Sequence, residues 1–206
     1  MDSGLDIAIV LAAGEGTRMK STTSKVLHTI AGRTIVGHVL AALAPLNSKN
    51  LRVVVGSHRE SVEAHVKEIA PTATTVFQAE RNGTGHAVQL ALEGVKAQGN
   101  ILILAGDTPL LTSFTLKEFL EAHIETGNDV SVLTAQLPDP TGYGRIIRDE
   151  FGAIQRIVEQ RDATEEEQEI DEINTGVYLF KAEALVNSIH KISNNNSQGE
   201  LYLTDV

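Results

Sequence analysis

Apolar residues along the chain fall into short continuous runs separated by stretches in which they recur at helical spacing. Ile7, Ile9, Val10 and Leu11 form a run of branched side chains, the pattern of a strand buried on both faces. Ile35, Val36, Val39, Leu40 and Leu43 then repeat every three or four positions, which predicts a helix closed by Pro45. Leu51 to Val55 reads as a second buried strand. Val62, Val66 and Ile69 give the next helix, stopped by Pro71. A strand at Thr74 to Phe77, a helical face through Ala87, Val88, Leu90, Ala91 and Val95, and a strand at Ile101 to Leu104 complete a βαβαβαβ order. This order predicts an α/β fold with right-handed crossovers and a parallel sheet, whose ligands bind beyond the carboxyl ends of the strands.

Leu116, Phe119, Leu120 and Ile124 predict a further helix ending near Gly127, followed by a strand at Val130 to Ala135. The alternation then breaks. Residues 137–145, LPDPTGYGR, hold two prolines and two glycines, and they divide residues 1–136 from a smaller second lobe at 137–206. Short strands are expected at Arg145 to Arg148, Ala153 to Val158 and Val177 to Phe180. Thr164 to Gln168 is an acidic helical turn, and Ala182 to Ile189 is helical. Another amphipathic segment begins at Glu200 and meets no terminating signal before Val206, so the reading is of a domain cut short.

With 206 residues the chain can bury one full α/β core with a subsidiary lobe, but not two unrelated domains. Its 27 acidic and 17 basic residues argue against nucleic acid or an anionic membrane as the main partner. The absence of cysteine excludes disulfides, thiolate zinc sites and cysteine nucleophiles. No basic leader precedes the first strand and no apolar run is long enough to cross a membrane, so a cytoplasmic protein is expected. The segment from Gly14 to Arg33 has the opposite sign to the rest: Arg18, Lys20, Lys25 and Arg33 stand against Glu15 alone. A phosphorylated ligand would be attracted there by a local field.

The same segment follows the first strand. In Leu11-Ala12-Ala13-Gly14-Glu15-Gly16 the small residues remove the bulk that keeps a ligand from the backbone, so that successive amides can face one anion. Two common glycine loops fail to match. Met19 stands where a dinucleotide fingerprint requires its third glycine, and Lys20-Ser21 lacks the glycine spacing of a P-loop. No G-x-S-x-G and no H-x-x-x-H pairing occurs, so serine-hydrolase and metalloprotease chemistry lack support.

Three further stretches carry candidate chemistry. Asp107, in Gly-Asp-Thr-Pro directly after a predicted strand, can hold Mg²⁺, which takes one or two carboxylates and completes its shell with phosphate oxygens and water. The alternative is that it only caps a turn leading to the next helix. Gln78, Gly83 and Thr84 lie between a strand and a helix, where an amide offers donor and acceptor together, as the edge of uracil requires; the same GTGH could be a plain helix start, and His86 is read as structural. Gly144, Glu159 and Asn174 fall in three stretches, GYGR, IVEQ and INTG, and could hold sugar hydroxyls or be ordinary strand-end polarity.

The run LAAGEGTRM followed by SKVL resembles the signature loop of the sugar-phosphate nucleotidylyltransferases. With QAERNGTGHA, GDTPLL, DPTGYGRI, IVEQRDAT, EINTGVY and NNNSQGELYLTD, the chain from Ile7 to Val206 resembles the uridylyltransferase domain of the bacterial bifunctional N-acetylglucosamine-1-phosphate uridylyltransferase/glucosamine-1-phosphate acetyltransferases. The resemblance implies a Rossmann-like nucleotidyltransferase fold with a nucleotide-binding half and a sugar-binding half. It implies transfer of UMP from UTP to N-acetylglucosamine 1-phosphate, giving UDP-N-acetylglucosamine and pyrophosphate for cell-wall precursor synthesis. Leu11, Ala12, Ala13 and Gly14 would contact the nucleotide through their backbone, and Arg18 and Lys25 would hold the phosphates. Gln78, Gly83 and Thr84 would read uracil, Asp107 would be one Mg²⁺ ligand, and Gly144, Glu159 and Asn174 would hold the sugar. Ala105 stands where some relatives have tyrosine. The family's second metal ligand, and the acetyltransferase β-helix that makes the full-length family protein a homotrimer, lie beyond the position matching Val206.

Overall fold

The computed structural model describes residues 4–16 and 19–206, so Arg18 lies outside the described residues. Along the chain run β1 (Leu5–Ala12), a small hairpin of β2 (Thr29–Ile30) and β3 (Arg33–Thr34), α1 (Ile35–Leu43), β4 (Asn50–Val55), α2 (Arg59–Ile69), β5 (Thr74–Phe77), α3 (Thr84–Leu92), β6 (Asn100–Ala105) and α4 (Ser113–Thr126). There follow β7 (Val130–Gln136), β8 (Arg145–Arg148), β9 (Ile154–Val158), α5 (Glu165–Gln168), β10 (Glu172–Lys181) and α6 (Ala182–Ser188). Eight strands form one sheet in the order β5-β4-β1-β6-β10-β8-β9, with β7 also paired to β10.

β1, β4, β5 and β6 are parallel, as the alternating pattern predicts. β10 enters antiparallel beside β6, and β7, β8 and β9 continue in antiparallel pairing. The sheet is therefore parallel in the first half of the chain and antiparallel in the second, and both halves share it.

The continuous apolar run of β1 follows from burial on both faces. Ala8, Val10 and Ala12 face a core built with Val36, Val39 and Leu40 of α1, Val62 and Val66 of α2, and Leu116 and Leu120 of α4. Ile7 and Ile9 point the other way, into a core with Ala87, Val88 and Ala91 of α3 and Leu185 of α6. Each fully buried branched side chain contributes about 1.5–3 kcal/mol, so this two-sided burial fixes the register on which the strand ends depend.

Helix boundaries follow local chemistry. Thr34 caps α1 by accepting the Gly37 amide at 3.1 Å, and Thr112 caps α4 through the Thr115 amide at 3.1 Å. α4 stops at Gly127 in the left-handed conformation, as expected. Pro45 does not end α1 outright; it sits in a 3-10 turn, Ala44–Leu46, that tightens the last turn. α3 starts earlier than its apolar face suggests, at Thr84, and ends before Val95, because Glu93 is already extended ahead of Gly94 at φ +71. β10 extends well beyond the expected Val177–Phe180: the polar EINTG stretch belongs to it through a bulge between Asn174 and Val177. Beyond Glu200 the chain forms only a 3-10 turn, Leu203–Asp205. Among the described residues no helix is long and apolar enough to cross a membrane.

Candidate functional site

β1 and β6 run in register to Leu11 and Ala105, and the Gly106 amide extends the pairing by donating to the Leu11 carbonyl at 2.8 Å. A Cβ at position 106 would stand 3.0 Å from that carbonyl oxygen, so glycine lets the two loops leave the sheet side by side without crowding. Leu11 and Ala13 face the α3 side, whereas Ala12 is buried toward α1 and α2. The loop then returns along the α1 side, where Val26 anchors the 3-10 turn Lys25–Leu27 in the core. Gly16 has φ +62, and a Cβ on it would lie 2.5 Å from Lys25 Cβ, so a side chain there would push Lys25 away. The Lys25 ammonium is held in an ion pair with the Asp107 carboxylate, each side chain about one-third exposed.

On the α3 side of these strand ends lies a cavity of about 380 Å³, within the usual range for small-molecule sites. Leu11, Ala13, Gly14, Gln78, Gly83 and Thr84 form one wall. Gln78 is 95% buried, and its backbone amide donates to the Val55 carbonyl at 2.9 Å. Its side-chain amide donates to the Gly83 carbonyl at 3.0 Å and faces His86 Nδ1 at 3.3 Å. Both amide hydrogens are thus used within the protein, and Gln78 offers the cavity an acceptor, Oε1, rather than the donor-acceptor pair expected from its type. The contact with His86 helps to fix the orientation of the Gln78 amide.

The opposite wall comes from the antiparallel half: Glu159, Asn174, Gly176 and Tyr178, with Leu203 and Thr204 from the C-terminal segment. Asn174 donates to the Tyr178 hydroxyl at 2.5 Å and accepts the Gly176 amide at 3.0 Å. Gly144 does not line the cavity. It supports it from behind, its carbonyl accepting the Asn174 amide at 2.9 Å, and a Cβ on it would lie 3.3 Å from Glu159 Oε1. Burial pushes the Glu159 carboxyl above its ordinary value, with Asp162 and Asp205 adding to the shift. Burial likewise raises the Tyr178 phenol, so it is neutral and a competent hydrogen-bond partner. Arg145 is 99% buried and ties this wall together, donating to the Tyr143 carbonyl, to Gln160 Oε1 at 2.8 Å and to the Gln168 carbonyl at 3.2 Å.

Eight of the residues singled out in the sequence, Leu11, Ala13, Gly14, Gln78, Gly83, Thr84, Glu159 and Asn174, therefore meet around one cavity. Lys25 and Asp107 are paired beside it, Ala12 is core, and Arg18 lies outside the described residues. Sequence reasoning missed the Glu15–Arg81 ion pair at 2.8 Å on the rim, and also Tyr178, Gly176, Leu203 and Thr204. The Thr204 hydroxyl is buried without a hydrogen-bond partner. The bulge that brings Asn174 and Tyr178 together leaves no periodic signal. A larger groove of about 1140 Å³ runs along β7, β9 and the C-terminal segment. It shares Glu159, Tyr178, Leu203 and Thr204 with the smaller cavity but touches neither the β1 loop nor Gln78, and only the smaller one sits at the ends of the parallel strands.

Residues 8–170 match the model of the MobA-like NTP transferase domain. The chain belongs to that family. Within it, the chain is 52% identical over 202 residues to the bifunctional protein GlmU of Thermobifida fusca and 54% identical over 201 residues to that of Streptomyces avermitilis, in each case over 96% of this chain and 42% of the relative. It is 53% identical over 199 residues to GlmU of Cutibacterium acnes, covering 96% of this chain and 47% of that protein. The chain thus spans less than half the length of these relatives. Among solved structures, a UDP-glucose pyrophosphorylase complexed with UDP-glucose superposes with a TM-score of 0.78 at 17% identity, over 98% of this chain and 84% of the other. The fold is thus shared at low sequence identity.

Proposed function

We propose that the chain transfers UMP from UTP to N-acetylglucosamine 1-phosphate, giving UDP-N-acetylglucosamine and pyrophosphate. The observation that carries this reading is the convergence of two differently built walls on one cavity at the strand ends. One wall is made of small residues and backbone beside Gln78, suited to a nucleotide, and the other carries the Glu159 carboxyl and the Asn174 carboxamide, suited to a sugar. The similarity to GlmU over almost the whole chain supports the same substrates. On this reading residues 1–136 form the nucleotide half and 137–206 the sugar half.

The nucleophile is an oxygen of the sugar phosphate. A phosphate monoester has its second pKa near 6, so at neutral pH the dianion attacks the α-phosphorus without a general base. The chain's task is to bring two anions together and to hold them in line, which requires positioning and positive charge rather than proton transfer. Lys25, with Arg18, would hold the phosphates; Gln78 Oε1 would accept the N3–H of uracil. Asp107 fits a divalent cation, since its partly exposed carboxylate already takes a cationic partner in Lys25, and one carboxylate with phosphate oxygens and water satisfies Mg²⁺. Mg²⁺ bound there would neutralise charge on the triphosphate.

The test is pyrophosphate release by this chain from UTP with Mg²⁺ across a panel of sugar 1-phosphates. Release with N-acetylglucosamine 1-phosphate above glucose 1-phosphate supports the reading. A preference for glucose 1-phosphate moves the chain to another nucleotidylyltransferase activity, and UDP-N-acetylglucosamine binding without release makes it a nucleotide-sugar-binding module.

A further inference from the structure

Asn174 and Tyr178 lie four residues apart on β10. In an unbroken strand their Cα atoms would be about 13 Å apart. The bulge opposite Thr134 and Leu133 inserts Thr175 and Gly176, with Gly176 at φ +76, and brings the two side chains into contact at 2.5 Å. The Gly176 amide donates to Asn174 Oδ1, which fixes which end of the carboxamide is the acceptor. The Asn174 amino group must then face Tyr178, whose oxygen accepts. This leaves Asn174 with one free N–H and one free lone pair, both with fixed directions. Tyr178 is itself anchored: it is 94% buried in the sheet between β6 and β7, with its ring 6.1 Å from that of Phe180. Without the hydroxyl, the carboxamide would be held only by the Gly176 amide and could rotate.

We infer that Tyr178 is a positioning residue for the sugar: through its hydroxyl it holds the Asn174 carboxamide in the orientation that meets the sugar of a nucleotide sugar. The inference rests on the substrate reading above, and deepens it by assigning sugar affinity to a residue in the middle of the sheet. Nucleotide affinity, which depends on the other wall, is independent of it.

Calorimetry with UDP-N-acetylglucosamine and with UDP separates the two. Tyr178→Phe keeps the ring against Phe180 and removes only the hydroxyl. It should weaken UDP-N-acetylglucosamine binding roughly three- to tenfold, the range of one net hydrogen bond, and change UDP binding less than about twofold. In an Asn174→Ala background the same substitution should have almost no further effect, because the residue it positions is gone. Unchanged UDP-N-acetylglucosamine affinity in Tyr178→Phe, equal weakening of both ligands, or an additive loss in the Asn174→Ala background overturns the role. If Asn174→Ala leaves the ratio of the two affinities unchanged, the sugar wall itself is misassigned and the inference falls with it. Should Tyr178→Phe fold poorly, Tyr178→Met, which keeps a long adaptable apolar side chain there without a hydroxyl, carries the same expectation.

Discussion

The two walls of the cavity are built by different means. The first is a set of strand ends: Leu11, Ala13 and Ala105 occupy their places because β1, β4 and β6 are locked in parallel register by a core on both faces. The second is a set of side chains held by irregular features, namely the β10 bulge, the buried Arg145 and the glycine behind Glu159. A backbone wall presents amides that are nearly the same whatever the side chains, so it suits the constant part of a substrate. A side-chain wall can be altered one residue at a time, and it suits the part by which substrates differ.

Four substitutions can break or sharpen that contrast. The largest effect is expected from Lys25→Ala, which removes the cation paired to Asp107 beside the β1 loop and should lower pyrophosphate release by roughly ten- to a thousandfold. Near-normal release would remove Lys25 from phosphate binding. Gly83→Ala comes next. Gly83 has φ +95, and a Cβ there would stand 2.4 Å from the Leu201 carbonyl, so the loss should be on the order of 2 kcal/mol or more in urea denaturation. A stability close to that of the parent would show that the C-terminal segment does not pack tightly on the first wall.

Arg145→Ala, measured in the same way, should cost about 2 kcal/mol, since it removes a buried guanidinium together with the hydrogen bonds by which it joins Gln160 to the Gln168 carbonyl. It should also weaken UDP-N-acetylglucosamine binding while sparing UDP; equal loss of both would mean that the walls are not independent. The smallest effect belongs to Glu159→Gln. Burial and two neighbouring acids raise the Glu159 carboxyl, so the folded state binds its proton more tightly than the unfolded chain does. The associated stability is complete below the ordinary value of 4.5 and is lost as pH rises through the folded-state value. Glu159→Gln should therefore raise the Tm at pH 7 relative to the parent and raise it less at pH 5. An equal shift at both pH values would contradict the assigned burial.

The first wall and the parallel half of the sheet were legible in the sequence because they depend on periodicity: buried strands read as apolar runs, and the loops after them as small residues. In the second wall, Glu159 and Asn174 were grouped as sugar partners by residue type and by resemblance. The contact between Asn174 and Tyr178 was not legible, because the bulge that makes it inserts residues that break the two-residue repeat. Tyr178 itself reads as a core aromatic, and 94% of its surface is buried. Gln78 was found by type and position, but its chemistry changed in the folded chain, where Gly83 and His86 engage both of its amide hydrogens.

The central claim is that both walls serve one ligand at once, and a crystal structure of this chain with UDP-N-acetylglucosamine tests it most directly. The account predicts uracil against Gln78 and Gly83, the diphosphate along Leu11 to Gly14 with Lys25 swung toward it, and the sugar between Glu159 and Asn174. A ligand bound in the larger groove, with the β1 loop empty and Lys25 still paired to Asp107, would contradict it.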